Sequence, residues 1–256
     1  MLMVMDIGNT NIKTGLFVDG KLKNSWRLQT NHLRTSDEYG TMMESFFDHL
    51  GISTDEVNGI IMSSVIPSMN YTMEHMCELY FHRRRAMVVN SDMNLGIKIK
   101  YDLPSQLGSD RICNSVEAYH RYGGPCTVVD FGTATNFAVI SEKGEFLGGL
   151  ICPGVMVSAD ALAENAAQLR KVEFIKPDKI IATNTEDGIR SGIIQGYIGQ
   201  VDYIIRQIQK ELGGGPIKTI ATGGMSSMIA SGTDRIDEIR PTLTLEGLAR
   251  IYAMNS

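Results

Sequence analysis

The sequence predicts an α/β fold built from two related halves, each a mixed β-sheet with flanking helices. A strand, a D-x-G turn and a second strand occur twice, around Asp6 and around Asp130, 124 residues apart. Each copy continues through a hairpin signal, Asp19-Gly20 or Lys143-Gly144, into a third strand. Helical stripes and short apolar strands follow both copies. Such alternation favours helices packed on mixed sheets.

The composition is that of a globular protein with a small negative charge. The 256 residues suffice for one large domain or two small ones. A net charge of −5, from 24 basic and 29 acidic residues, argues against a polyanion-binding face, so no nucleic-acid partner is expected. The sequence has no apolar run near the ~18 residues of a membrane helix and no signal-peptide pattern. We therefore expect a cytoplasmic protein without membrane contact.

The first half is predicted to open with three strands, of which the second and third cover residues 12–17 and 21–28. Apolar residues then recur with helical spacing from Tyr39 to Leu50, which indicates one amphipathic helix. A strand over 59–65, a helix over 69–80 and a strand over 86–90 complete this pattern. A further helix opens at residues 110–115.

The second half repeats the order. Strands are predicted after the break at Tyr122-Gly123-Gly124-Pro125, ending at the second D-x-G turn and then covering residues 136–140 and 145–150. A helical stripe runs from Tyr197 to Leu212, followed by a strand over 218–221 and a helix over 243–254. The expected domains are residues 1–116 and 117–256.

The two D-x-G turns are candidate phosphate or metal sites. A carboxylate at the end of a buried strand, beside a glycine that lets the backbone approach a ligand, suits phosphate or a hydrated metal ion. One such turn can be purely structural, but two copies in equivalent positions favour a function. Further polar groups adjoin the turns: Asn9, Thr10, Asn11 and Lys13 in the first, Thr133 and Thr135 in the second.

Two further motifs each have two interpretations. Asp110, in the segment Gly108-Ser109-Asp110-Arg111, is either an ordinary helix-capping residue or a carboxylate that accepts a proton from a substrate hydroxyl. The segment Thr222-Gly223-Gly224 is either a plain strand-to-helix turn or a glycine surface for an adenine ring.

Seven motifs, in order along almost the whole chain, resemble the type III pantothenate kinase family. They are DIGNTNIK at 6–13, SSVIP at 63–67, GSDR at 108–111, DFGTATN at 130–136, GGLICPGVMVSADAL at 148–162, NTEDGIRSG at 184–192 and ATGG at 221–224. The resemblance implies two ribonuclease H-like (actin-like ATPase) domains. It also implies ATP-dependent phosphorylation of pantothenate to 4'-phosphopantothenate, the first step of coenzyme A biosynthesis.

The same resemblance implies the site residues. Asp110 is the expected proton acceptor, Asp130 the ligand of a monovalent cation (K+ or NH4+), and Asp6 acts through Mg2+. The expected ATP-binding residues are Asp6, Ile7, Gly8, Asn9, Thr10, Asn11, Ile12, Lys13 and Thr133. Pantothenate is expected to contact Tyr101, Gly108, Ser109, Asp110, Arg111 and, from the neighbouring subunit of a homodimer, Thr185.

The sequence departs from the family pattern at three positions, and two other functions stay open. Ser109 stands where alanine is frequent, Asn136 where a hydroxyl residue is more usual, and Arg170 where many members have proline. The alternatives are a non-catalytic transcription accessory factor on the same scaffold and another small-molecule kinase of the superfamily, acting on a sugar or acetate.

Overall fold

The computed structural model of the chain describes residues 1–166, 172–175, 177 and 179–256, so Arg170 lies outside the described residues. The chain forms two compact units. The first comprises Met1–Gly96, Tyr101–Glu117 and Leu243–Ser256, and the second comprises Ile97–Lys100 and Ala118–Thr242. The division into domains 1–116 and 117–256 stays a prediction.

The described residues contain eleven strands and seven α-helices, besides two short 3-10 helices. The strands are β1 (Leu2–Ile7), β2 (Asn11–Val18), β3 (Lys21–Gln29), β4 (Gly59–Ser64), β5 (Met87–Val88), β6 (Lys98–Ile99), β7 (Cys126–Phe131), β8 (Ala134–Ile140), β9 (Glu145–Pro153), β10 (Lys218–Gly223) and β11 (Glu238–Ile239). The helices are α1 (Ser36–Leu50), α2 (Pro67–Tyr80), α3 (Ser109–Tyr122), α4 (Val155–Asn165), α5 (Thr185–Glu211), α6 (Ser226–Ala230) and α7 (Leu243–Asn255).

The two sheets share one strand order, which confirms the predicted fold class of two related α/β halves. The first sheet runs β3-β2-β1-β4-β5, and the second runs β9-β8-β7-β10-β11 with β6 added beside β9. In each, the first strand of the half pairs antiparallel with the next strand and parallel with a later one. The hairpin at Asp19-Gly20 forms with positive φ at both residues, 50° and 72°, as a primed turn requires.

The first sheet is covered on both faces. Met3, Met5 and Ile7 alternate along β1 and pack in one core with α1 and α2. Since side chains alternate across a strand, Val4 and Asp6 face the other way. That second face is covered by α7, where Leu245 lies against Gly15 and Tyr252 against Gly59. Asp6 therefore lies on the same face of the sheet as α7.

The second sheet packs its own core against α5. Val129 and Phe131 of β7 share this core with buried residues of the long helix, Val201 and Ile205 among them. Asp130, between those two strand residues, faces away from it. In both units the D-x-G aspartate thus lies on the face opposite the main apolar core.

Several elements differ from the sequence-based prediction. The strand expected over 86–90 covers only Met87–Val88, and α5 begins at Thr185, well before the stripe from Tyr197. Four glycines within the first fifteen residues of α5 lower its intrinsic helix propensity, while Asn184 caps it by accepting from the Asp187 N–H at 2.9 Å. The short elements α4, α6, β6 and β11 carry too little pattern to be predicted.

No helix among the described residues is long and apolar enough to span a membrane.

The four cysteines are all free thiols, and Cys77, Cys113 and Cys126 are buried. Burial raises the pKa of the Cys77 thiol, and that of Cys126, to about 12. These side chains act as small apolar residues of the core.

The close packing of α7 on α3 predicts a glycine requirement. A Cβ at Gly247 would overlap the backbone carbonyl of Cys113, which cannot move aside as a flexible side chain could. We expect Gly247→Ala to lower the free energy of unfolding by about 1–3 kcal/mol, measured by urea denaturation. The control is Gly199→Ala on α5, where a Cβ meets no atom within 4 Å and should stabilise by about 0.5–1 kcal/mol. Equal effects at both positions would contradict this packing.

Candidate active site

The carboxylate of Asp6 is held in a row of three side chains across neighbouring strands. Asp6 pairs with Lys13 on β2 and with Ser63 on β4, which places the three on one face of the sheet. The Ser63 hydroxyl donates to Asp6 Oδ1 at 2.8 Å, and Lys13 Nζ lies 3.6 Å from Oδ2. Asp6 is only 7% exposed, so this row supplies the hydrogen bond and the positive charge that a buried carboxylate needs.

The turn after Asp6 presents polar groups to solvent. Asn9 and Thr10 are exposed, while the Gly8 N–H donates to the Asn11 carbonyl at 3.1 Å. The Thr30 hydroxyl donates to the Gly8 carbonyl at 2.7 Å and fixes the turn from β3. The turn is therefore a rigid, solvent-facing loop at the carboxyl end of β1.

Two of the predicted ATP-binding residues face the core. Ile7 and Ile12 pair with each other across β1 and β2, and both side chains are fully buried in the apolar core. They can contact a ligand only through the backbone.

The start of α3 is attached to the end of β4 by one side chain. The Ser109 hydroxyl donates to the Ser64 carbonyl at 3.0 Å and accepts from the Ser64 N–H at 2.9 Å. Ser109 is buried. Since Ser64 follows Ser63, the strand that orients Asp6 also fixes the helix turn that carries Asp110.

Asp110 lies in the first turn of α3 and is partly buried. Its Oδ1 accepts from the Arg111 N–H at 2.8 Å, which sets the orientation of the carboxylate. A Cβ at Gly108 would lie 2.5 Å from that oxygen, so glycine gives the carboxylate its space. Asp110 is the second residue of α3 and not its N-cap, and its negative charge in the first turn suits the helix dipole.

Asp6 and Asp110 influence the same buried thiol. Burial, and then the charges of Asp6 and Asp110, raise the pKa of Cys113 well above its usual value. Both carboxylates thus lie within electrostatic reach of one point in the first unit.

Arg111 is buried, and its guanidinium carbon lies 6.0 Å from the centre of the Tyr101 ring. The structure therefore groups Tyr101 with the GSDR segment.

The second unit has a related row of three residues. Asp130 on β7 pairs with Asn136 on β8 and Thr222 on β10. Gly223 has φ +89°, and a Cβ there would lie 2.5 Å from the Phe131 carbonyl and 2.6 Å from Asp130 Oδ1. Thr222 is 1% exposed, and its hydroxyl has no hydrogen-bond partner.

Thr133 is exposed in the two-residue turn between β7 and β8, where the Gly132 N–H donates to the Ala134 carbonyl at 3.0 Å. A Cβ at Gly154 would overlap the carbonyls of Gly132 and Thr133, so the start of α4 packs directly on this turn. Thr185 is the exposed first residue of α5.

The sequence motifs include Ser63, Ser64 and Thr222, but they gave no role to these three side chains. Ser63 is a polar residue at the end of an apolar strand, Gly59–Ser64, and that break in hydropathy was its available signal. Its contact with Asp6 depends on the pairing of strands 57 residues apart.

Among the described residues no three His, Cys, Asp or Glu side chains gather to hold a metal ion. A Mg2+ ion at Asp6 would therefore need ligands from water and phosphate, as is usual for Mg2+.

Comparison with known proteins identifies a family and a fold. A family model of type III pantothenate kinases matches residues 2–207. A protein from Campylobacter jejuni named as a Baf family transcriptional activator is 18% identical, with 98% of this chain and 97% of that chain covered and a TM-score of 0.61.

Two solved structures named as kinases share the fold. One from Sinorhizobium meliloti, named as a 2-dehydro-3-deoxygalactonokinase, is 9% identical with coverage of 98% and 96% and a TM-score of 0.63. One from Listeria monocytogenes, named as an N-acetylmannosamine kinase, is 11% identical with coverage of 98% of both chains and a TM-score of 0.54.

The double hydrogen bond of Ser109 predicts a specific loss of stability. Ser109→Ala leaves the N–H and carbonyl of Ser64 without their side-chain partner, which should cost about 1–3 kcal/mol in the free energy of unfolding in urea. Ser115→Ala is the matched control, because Ser115 is a fully buried serine of the same helix whose hydroxyl has no partner. A Ser109→Ala protein as stable as the Ser115→Ala protein would show that this attachment contributes little.

Proposed function

Since the chain belongs to the type III pantothenate kinase family, we propose that it transfers the γ-phosphoryl group of ATP to the primary hydroxyl of pantothenate. The family makes it a phosphotransferase that uses ATP. The choice of pantothenate as acceptor is the proposal. The phosphoryl transfer is supported by two carboxylates in one unit. The Ser63 hydroxyl holds that of Asp6, and the Arg111 N–H orients that of Asp110.

The first turn is the proposed site of the ATP phosphates. Its exposed donors on Asn9 and Thr10 and its backbone N–H groups suit phosphate oxygens, and Lys13 adds a positive charge. The predicted set Asp6, Ile7, Gly8, Asn9, Thr10, Asn11, Ile12 and Lys13 is retained, with Ile7 and Ile12 acting through the backbone. Thr133, exposed in the equivalent turn of the second unit, is the further proposed ATP contact.

The acceptor is proposed to bind at the GSDR segment. Asp110 accepts the proton of the primary hydroxyl as that oxygen attacks the γ-phosphorus and ADP leaves. Arg111 supplies a guanidinium, the side chain best suited to the single carboxylate of pantothenate, and the Tyr101 ring lies beside it. Gly108 gives Asp110 its space, and Ser109 positions the helix start through Ser64.

Two cations are proposed, one in each unit. Asp6, with one oxygen bonded to Ser63 and the other near Lys13, fits the role of a carboxylate that holds Mg2+ through water. Mg2+ neutralises charge on the transferring phosphoryl group when bound. Asp130, Asn136 and the unpartnered Thr222 hydroxyl offer oxygen atoms that suit a monovalent cation, K+ or NH4+.

The four free thiols fit a reducing compartment, and we propose the cytoplasm.

We also propose a homodimer in which Thr185 of one subunit contacts the acceptor of the other. Of the fifteen large apolar side chains exposed among the described residues, nine lie between residues 147 and 181: Leu147, Leu150, Ile151, Met156, Val157, Leu162, Ile175, Ile180 and Ile181. A large exposed apolar surface favours a protein interface. A second copy of the chain is the proposed occupant, and Thr185 directly follows this stretch.

A competing function is a non-catalytic transcription accessory factor, since the C. jejuni neighbour is named as a transcriptional activator. Such a role needs neither an oriented proton acceptor nor a carboxylate flanked by Lys13 and Ser63. The geometry therefore favours the kinase, and the effect of changing Asp110 separates the two functions.

Loss of the proton acceptor predicts a large effect on turnover. Asp110→Asn keeps the size of the side chain and an oxygen that can accept from the Arg111 N–H, but it cannot accept the proton, so kcat for pantothenate-dependent ADP release should fall at least ~100-fold. The folded fraction, followed by circular dichroism, should not change. Asp102→Asn, at an exposed nearby position, should retain wild-type kcat. An Asp110→Asn enzyme with wild-type turnover would remove Asp110 from the mechanism.

The proposed dimer predicts a mutation that separates the subunits. Met156 is 45% exposed in the first turn of α4, where an aspartate is compatible with the helix dipole but not with an apolar interface. Met156→Asp should elute as a monomer in size-exclusion chromatography with light scattering, while wild type elutes as a dimer. Leu33→Asp, at a 91% exposed position of the first unit, should leave the dimer intact. A dimeric Met156→Asp protein would exclude this surface.

A further inference from the structure

The last helix, α7, is hydrogen-bonded to the helix that carries Asp110. The Thr244 hydroxyl of α7 donates to Asn114 Oδ1 of α3 at 2.8 Å, and both residues are buried. Further along α7, Arg250 Nε donates to Glu117 Oε2 at 2.6 Å, and the Glu117 side chain is only 1% exposed. One neutral and one charged hydrogen bond therefore join the two helices, and both end on buried side chains of α3.

These contacts lie on the same stripe of α3 as Asp110. Asn114 and Glu117 follow Asp110 by four and seven residues, which is the spacing of one helix face. Beside them, a Cβ at Gly247 would overlap the backbone carbonyl of Cys113, so the backbones of the two helices are in close contact. The stripe that carries the carboxylate is thus the stripe by which α3 is attached to α7.

The same helix covers the sheet face on which Asp6 lies. α7 packs on β1, β2 and β4, with Leu245 against Gly15 and Tyr252 against Gly59. It therefore connects the strand that carries one carboxylate with the helix that carries the other. A shift of α7 relative to either element would change the separation of the two carboxylates.

A second attachment of α3 is needed because a contact at one end does not fix the direction of a helix. Ser109 ties the first residue of α3 to Ser64, but a helix held only there can still tilt about that point. The hydrogen bonds of Asn114 and Glu117 hold α3 one and two turns further along. Together the attachments give α3, and the carboxylate in its first turn, a single direction.

The charged pair is better suited to fixing a position than to adding stability. A buried ion pair loses much of its Coulomb energy to desolvation, and apolar residues of similar size often give an equally stable protein. The hydrogen bond from Arg250 to Glu117 is directional, since it joins one nitrogen atom to one oxygen atom. None of the seven sequence motifs extends to α7, so the resemblance implies no role for this helix.

We propose that α7 positions the Asp110 carboxylate relative to Asp6, and that its two hydrogen bonds to α3 carry this function. Thr244 and Arg250 are therefore positioning residues, which act through α3 and not by contact with a substrate. The inference deepens the proposed function, since it rests on Asp110 as the proton acceptor. A change at either positioning residue should lower turnover by more than its loss of stability explains.

The test uses the full chain and separates position from stability. Arg250→Met removes the donor to Glu117, and a double variant that adds Glu117→Met also removes the buried charge. Thr244→Val removes the hydroxyl and keeps the shape of the side chain, whereas Thr244→Ser keeps the hydroxyl. The control is Met43→Ala, which truncates a fully buried side chain of α1 in the core on the other face of the sheet.

Three readouts are compared for each variant. The first is the unfolding temperature. The second is the deuterium uptake of residues 108–116, followed by mass spectrometry without ATP or acceptor, which reports local opening at the start of α3. The third is kcat and KM for ATP turnover with pantothenate, at a temperature where all the variants are folded.

Arg250→Met should lower the unfolding temperature, increase the uptake of residues 108–116 and lower kcat roughly ten- to hundredfold, the effect of misplacing a catalytic group by about an ångström. KM for ATP should not change. The double variant should regain the unfolding temperature of wild type but keep the high uptake and the low kcat. Thr244→Val should change in the same direction, and Thr244→Ser should restore the wild-type values. Met43→Ala should lose stability alone.

Three results would overturn the inference. They are an Arg250→Met protein with wild-type uptake and kcat, a double variant that regains both together with its stability, and a Met43→Ala protein in which both change as much as in Arg250→Met. If the double variant does not fold, equal uptake and kcat in Thr244→Val and Thr244→Ser would overturn the inference instead.

The uptake is measured without acceptor, so it does not depend on whether pantothenate is the substrate. A wild-type protein that does not phosphorylate pantothenate, in a series whose uptake changes as expected, would reject the proposed acceptor alone.

Discussion

The pairing of one central strand with two different neighbours is the constraint on which the first unit depends. It brings Lys13 and Ser63 to either side of Asp6, so that a carboxylate can be buried at the carboxyl end of β1. An isolated buried carboxylate would be unstable or would take up a proton. A one-residue change in the register of β1 would turn Asp6 to the other face of the sheet, away from Lys13 and Ser63. Strand register therefore determines the chemistry of the turn that follows.

The same constraint connects the proposed nucleotide and acceptor sites. Ser63 orients Asp6, and the next residue, Ser64, holds Ser109 through two backbone hydrogen bonds. The end of β4 thus fixes both the phosphate turn and the helix start that carries Asp110. The second unit repeats the arrangement around Asp130. Asn136 and Thr222 stand there in the places of Lys13 and Ser63, so this row lacks the lysine's positive charge.

Local patterns were enough to predict much of the fold. The Asp19-Gly20 hairpin, the stripe of α1 and the last helix followed from turn chemistry and periodicity, and the doubled D-x-G turn predicted the related halves. The contacts that matter for function are long-range. Three of them cannot be obtained by counting residues, because each depends on which elements lie side by side. They are the hydrogen bond from Ser63 to Asp6, the packing of Gly247 on Cys113 and the equivalent positions of Asn136 and Lys13.

The most direct test of the account is the acceptor specificity of the purified wild-type protein. ATP consumption should be measured with pantothenate, N-acetylmannosamine, glucose and acetate in separate reactions, with the phosphorylated product identified by mass spectrometry. Turnover is expected with pantothenate alone, giving a product heavier by one phosphoryl group. Turnover with a sugar or acetate and none with pantothenate would contradict it and assign the same fold and carboxylates to another kinase activity.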